Sequence, residues 1–179
     1  FIEYARVRRM GLALEKIKNG NSVIDAQLEV GYESSSGFRD AFTRTIGNPP
    51  TKSKHSVFKS IWIDTKLGPM IAIADESFLY LLEFIDRRGL EREIEVLRKK
   101  MHAAILPGEN PILKSIKKEI TEYFRGEKFI FKTPIFPIGS PFQQSVWNQL
   151  KKIPPGETRS YLDIAKSLKK PTAFRAVAN

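Results

Sequence analysis

Apolar side chains at Val7, Met10, Leu14 and Ile17 recur every three or four residues, the spacing of one face of an α-helix. The pattern predicts a helix over 2–19, with Arg6, Arg8, Arg9, Lys16 and Lys18 on its remainder and Gly20 as its stop. Ser22, followed three residues on by Asp25, predicts a capped start to a second short helix that reaches Val30. After the break Gly31-Tyr32-Glu33-Ser34, Ser34 is placed to cap a third helix over Ser35–Ile46, closed by Gly47 and by Asn48-Pro49-Pro50. Phe38, Ala41, Phe42 and Ile46 share one face of that helix; Ser36, Arg39 and Thr43 fall on its outward arc. Two short helices across a Gly-containing turn form a helix-turn-helix arrangement, and the outward arc is where a recognition helix meets base edges and phosphates. Arg39 has the reach to read a guanine bidentately, and Ser36 and Thr43 are short donors. The same pattern also fits a helical hairpin with a solvated polar face.

Beyond the polar stretch Thr51–Ser56, which reads as a linker, the period changes. Ile61 and Ile63 alternate with Trp62 and Asp64, and Lys66-Leu67-Gly68-Pro69 turns the chain. Met70–Ala74 and Phe78–Ile85 are two more strand-like runs, so a meander of three antiparallel strands is expected. Helical spacing returns at Leu90, Ile94, Leu97 and Met101, and again at Leu113, Ile116, Ile120 and Tyr123, ending at Gly126. Asp64, Asp75 and Glu83 fall at strand edges and turns, where solvated carboxylates are ordinary, so no metal site is expected.

The last forty residues carry a second set of helix signals. Ser140-Pro141-Phe142-Gln143 combines a cap, an N-terminal proline and a capping-box glutamine, opening a helix with Phe142, Val146 and Leu150 as its inner stripe and Trp147 beside them. Pro154-Pro155-Gly156 breaks it. A helix opens at Ser160 with Asp163 completing another capping box, and it buries Ile164, Ala165 and Leu168. After Lys169-Lys170, Pro171 begins a last helix in which Ala173, Ala176 and Val177 face one way and Arg175 projects the other. This is again two helices across a short turn, with an outward arginine on the second.

Charge favours a polyanionic partner. The 179 residues carry a net charge of +10, with nine Lys/Arg against six Asp/Glu before Ser56 and 21 against 14 from it onward. Both portions are basic, and each phosphate neutralised releases condensed counterions. No apolar run approaches the roughly 20 residues that a membrane span needs, so the reading is of a cytoplasmic protein without membrane partners. There is no cysteine, and His55 and His102 are the two histidines. A thiol nucleophile and a Cys-rich zinc site are therefore excluded within these residues, and neither a metal nor another cofactor is expected.

Two stretches resemble known families. Residues 25–50, "DAQLEVGYESSSGFRDAFTRTIGNPP", resemble the second helix-turn-helix of the AraC family in its Ada version, and residues 1–19 resemble the helix that links the family's two motifs. Residues 141–179, "PFQQSVWNQLKKIPPGETRSYLDIAKSLKKPTAFRAVAN", resemble the DNA-binding half of alkylguanine-DNA alkyltransferases. The Pro-Phe-Gln-x-x-Val-Trp start, the Ile-Pro-x-Gly-Glu-Thr loop, the Ser-Tyr pair and the Arg-Ala-Val run carry that likeness. Residues 57–139 resemble the family's RNase H-like N-terminal subdomain in pattern only.

The resemblance implies an α+β multidomain chain. It would comprise an AraC-type helix-turn-helix with its preceding helix (1–50), a linker (51–56), an RNase H-like α/β subdomain (57–139) and an incomplete helical DNA-binding subdomain (140–179). It implies repair by irreversible transfer of a methyl group from O6-methylguanine, and from O4-methylthymine, to a cysteine. Its partners would be double-stranded DNA with alkylated guanine, and promoter DNA through the first motif; the protein would act as a monomer. It also gives Arg175 the role of an arginine finger that fills the gap left by an extruded guanine. Tyr161 becomes the tyrosine that helps rotate the nucleotide out and donates to the flipped base. The family's reactive Pro-Cys-His-Arg would fall about a dozen residues past Asn179 by the family's spacing, so both ends read as limits of a fragment, and residues 1–179 alone are expected to transfer no methyl group. Two alternatives stay open: a regulator in which residues 1–56 bind a promoter without the rest, and an alkyltransferase-like protein that binds damage without repairing it.

Overall fold

In a computed structural model, the chain is described over residues 2–47, 49–52, 56–127 and 129–178. Asn48 and residues 53–55, which include His55 and half of the expected linker, lie outside the described residues, as do Phe1, Lys128 and Asn179. The chain forms two compact units, which divide between Ile135 and Phe136.

The first unit opens with three helices, α1 (Ile2–Lys18), α2 (Val23–Glu29) and α3 (Ser35–Ile46). The expected caps form. Ser22 accepts the Asp25 amide, Ser34 accepts that of Gly37, and Gly47 closes α3. Four strands follow: β1 (Ser56–Ile63), β2 (Met70–Ala74), β3 (Leu79–Phe84) and, after α4 (Leu90–Met101), β4 (Ala103–Pro107). The sheet order is β3-β2-β1-β4, with β2 antiparallel to its two neighbours and β4 parallel to β1.

The three-strand meander is thus correct for β1–β3 but incomplete. Strand β4 went unread because it begins directly after α4, with His102 in a left-handed conformation (φ 46°) as the only break. A non-glycine residue there gives no punctuation in sequence.

Helix α5 (Pro111–Phe124) starts at Asn110, whose side chain accepts the Leu113 amide and donates to the Asp75 carbonyl at 2.7 Å. Leu113, Ile116 and Ile120 join Ile63, Met70, Ala72 and Ala74 in one core. A second core unites Met10, Leu14, Phe38, Phe42 and Ile46 with Ala104 and Leu106 of β4. Val57, Ile61 and Ile63 alternate onto one face of β1, and Val57 borders the helical core while Ile61 borders the other. The two cores lie side by side on one face of the sheet.

The chain leaves this unit under tight control. Glu119, only 4% exposed, accepts the amides of Lys132 (2.8 Å) and Thr133 (3.1 Å) and the Thr133 hydroxyl (2.8 Å). With 132–133 tied to α5, the Pro134 carbonyl accepts the Leu79 amide at 2.8 Å.

The second unit holds α6 (Pro141–Leu150), α7 (Tyr161–Ser167) and α8 (Phe174–Ala178), the last preceded by a 3-10 turn at Pro171–Ala173. Both expected capping boxes form, Ser140 with Gln143 and Ser160 with Asp163. Val146, Ile164 and Ala165 are its buried apolar residues. Leu150, expected on the inner stripe of α6, is 44% exposed, and Ala176 is exposed while Ala173 and Val177 are half-buried. Helices of five to ten residues have too few turns for every apolar position to find cover.

Candidate nucleic-acid interface

The first helix-turn-helix is α2, its turn and α3, and Tyr32 pins the turn. The Tyr32 carbonyl accepts Gln27 Nε2 at 3.0 Å. Its ring meets Phe38 edge-on at a centroid distance of 5.8 Å, and the Arg9 guanidinium lies 5.6 Å from its centroid. An arginine held over an aromatic face in this way is a cation–π contact. The Lys16–Glu29 ion pair adds a further tie between α1 and α2. Neither the Arg9 nor the Gln27 contact is legible from spacing, because a buried glutamine looks like any polar helix position until its partner is known.

With Phe38, Phe42 and Ile46 inward, α3 turns Ser36 and Arg39 to solvent and leaves Thr43 half-buried. The Ser36 hydroxyl lies 2.9 Å from that of the cap, Ser34. The cap therefore orders Ser36 as well as the first turn of α3.

The second helix-turn-helix is α7, its turn and α8. Ile164 and Ala165 hold it from below. The Ser160 hydroxyl and amide both donate to Asp163 (2.6 and 3.0 Å), and these bonds hold the Asp163 carboxyl below the usual carboxylate range. That box fixes the first turn of α7, where Tyr161 stands 59% exposed. Arg175 is exposed on α8, with its guanidinium 5.7 Å from the Phe174 ring centroid. Lys170 Nζ reaches to 5.5 Å from the Phe142 ring, tying the turn to α6. A Cβ at Gly139 would run into the Trp147 indole, so the indole packs on bare backbone there. Trp147 is thus a fixed prop for the start of α6, where sequence alone offered only apolar bulk.

Residues 136–179 carry seven Lys/Arg against two Asp/Glu, a net charge of +5. The structure places the five nominated residues in two separate motifs: Ser36, Arg39 and Thr43 on α3 in one unit, Tyr161 and Arg175 in the other. Asp64, Asp75 and Glu83 form no metal cluster among the described residues. Asp75 instead accepts the Ser77 and Phe78 amides and the Tyr80 hydroxyl.

Comparison with known proteins matches this order of parts. A helix-turn-helix domain family matches residues 1–55, the ribonuclease-like domain of 6-O-methylguanine DNA methyltransferase matches 59–137, and the DNA binding domain of the same methyltransferase matches 141–179. The constitutive methylated-DNA–protein-cysteine methyltransferase of Bacillus subtilis is 38% identical over 114 residues, 64% of this chain and 66% of the relative. The Shigella flexneri protein of that name is 36% identical over 121 residues, 64% of this chain and 68% of the relative. The chain spans 50% of the inducible Bacillus subtilis relative, so it covers between half and about two thirds of these proteins. Among solved structures, the O6-methylguanine methyltransferase of Mycobacterium tuberculosis superposes with a TM-score of 0.54 at 30% identity, covering 68% of this chain and 66% of that one. The OGT of that organism in complex with DNA gives 0.53 at 30% identity and the same coverage. The chain belongs to the methylated-DNA–protein-cysteine methyltransferase family, in the Ada-type arrangement that sets a helix-turn-helix ahead of the ribonuclease-like and DNA-binding domains.

Proposed function

We propose that the protein belongs to a repair system that moves a methyl group from guanine O6, and from thymine O4, to a protein cysteine, and that α3 binds promoter DNA sequence-specifically to regulate transcription. One observation carries the repair reading: Tyr161 and Arg175 stand exposed on a single capped helix-turn-helix within a unit of net charge +5. A methyl group on guanine O6 is out of reach inside the base stack, so the nucleotide must be extruded. An arginine in the minor groove supplies charge and bulk where the base has left, which offsets part of the unstacking cost. In this reading Arg175 is that arginine, and Tyr161 guides the nucleotide out and donates to the flipped base. Transfer forms a sulfur–carbon bond as the O6–carbon bond breaks, leaving guanine restored and the thiol permanently alkylated.

No cysteine is present in the 179 residues, so the acceptor thiol is not among them and these residues alone transfer no methyl group. The exposed Tyr161 and Arg175 fit equally a second reading, a protein that binds alkylated DNA without repairing it. Equilibrium binding to a short duplex carrying O6-methylguanine tests what the two readings share. Residues 1–179 should prefer the alkylated duplex to the unmodified one, and Arg175→Ala should weaken that binding by roughly tenfold or more. Unchanged affinity in the variant removes Arg175 from the interface. Labelled methyl recovered on this polypeptide, which has no cysteine, contradicts both readings.

A further inference from the structure

The helix-turn-helix of the first unit is not closed by its own three helices. Its core includes Ala104 and Leu106 of the ribonuclease-like sheet, both almost fully buried. On α1, Gly11 forms the notch that admits Leu106: a Cβ there would lie 2.8 Å from Leu106 Cδ1 and 3.1 Å from Cδ2. Around this apolar contact sits a polar rim. Lys59 of β1 pairs with Glu15 of α1, and Arg98 of α4 donates to the Thr45 carbonyl at 3.4 Å. That carbonyl belongs to the last turn of α3, where backbone acceptors lack helical partners and the helix dipole favours a cation. Apolar burial, a shape-matched notch, an ion pair and a helix-end hydrogen bond thus act between the same two bodies.

We propose that the ribonuclease-like domain is the platform on which the helix-turn-helix folds, so that β4 and α4 hold α3 in its DNA-reading position. The functional consequence rests on the reading of α3 as a DNA-binding helix; the physical coupling does not. Residues 1–56 severed from the sheet would lose the part of their core that Ala104 and Leu106 supply. A promoter-binding fragment of that length would not keep α3 ordered. The recognition helix is then mounted on a domain of the repair fold.

Hydrogen exchange on residues 1–179, with no DNA present, tests the coupling separately from the DNA reading. Leu106→Ala should speed exchange of the α3 amides by roughly tenfold or more, because the cavity opens in the core that helix shares, while α7 in the other unit keeps its rates. Gly11→Ala should have a similar effect through its clash, and Gly11→Ala with Leu106→Ala should exchange more slowly than the sum of the single losses predicts, since the shortened side chain makes room for the new methyl. Protection of α3 that is unchanged in Leu106→Ala, or strictly additive losses in the double variant, would overturn the proposal.

Discussion

Lys169 sits where a relaxed backbone would favour glycine. It is one of two non-glycine residues with positive φ among those described, at 58°. It closes α7 with paired bonds, its own amide donating to the Lys166 carbonyl and that of Lys170 to Ala165, both at 2.9 Å. This is the geometry in which glycine is preferred after a helix end. Lys169→Gly should therefore raise the urea stability of the second unit by about 1 kcal/mol. If the lysine also meets a phosphate, the same variant lowers the slope of log affinity against log salt by about one; an unchanged slope takes Lys169 off the DNA. Tyr80 gives a pH test. Burial, and then the hydrogen bond to Asp75, push its hydroxyl up to about 12 from an ordinary value of 10.0. A raised folded-state value means the bound proton stabilises the fold. That contribution is complete below pH 10, is lost as pH climbs toward 12, and disappears in Tyr80→Phe, as denaturation midpoints across that range will show.

Among the elements, α7 is the one on which the proposed role of Tyr161 depends. Its first turn depends on the Ser160–Asp163 box. Ser160→Ala should cost about 1 kcal/mol and speed amide exchange at 161–164. Asp163 titrates below the usual carboxylate range because Ser160 donates to it twice. Its stabilising contribution is thus present above that range and is lost as pH falls through the lowered value, so acid should fray α7 before α6. Glu119 is the comparable device in the first unit. Glu119→Gln keeps the shape but weakens three hydrogen bonds to 132–133, and a loss of about 1–3 kcal/mol is expected in urea unfolding. The elements that the sequence revealed are those with local punctuation: α3 between Ser34 and Gly47, α6 after Ser140-Pro141, α7 after Ser160. Strand β4 lacked any, because its reason for being a strand is its parallel pairing with β1 almost fifty residues earlier. Glu119 was invisible for the same reason, since its partners are thirteen and fourteen residues away.

At the scale of the whole molecule, the basic charge has two locations with different supports. Arg39 stands on a helix mounted on the sheet, whereas Tyr161 and Arg175 belong to a unit with few buried apolar residues and a net charge of +5. Helix faces were enough to nominate Ser36, Arg39, Thr43 and Arg175, whereas Tyr161 was legible only through the family resemblance. They could not show that α1–α3 share a core with β4, because Ala104 and Leu106 carry no signal of what they touch. No helix among the described residues is long and apolar enough to cross a membrane. The DNA-directed account predicts that Arg39→Ala relaxes sequence selection from a randomised duplex pool while leaving the preference for alkylated guanine intact. Its central claim is that the second helix-turn-helix opens DNA at the alkylated base. The most direct measurement is the fluorescence of a base analogue placed beside O6-methylguanine in a duplex, titrated with residues 1–179. The account predicts a rise in fluorescence that marks unstacking, reduced in Tyr161→Phe and lost in Arg175→Ala. Binding without any rise in fluorescence, or an undiminished rise in Arg175→Ala, would contradict it.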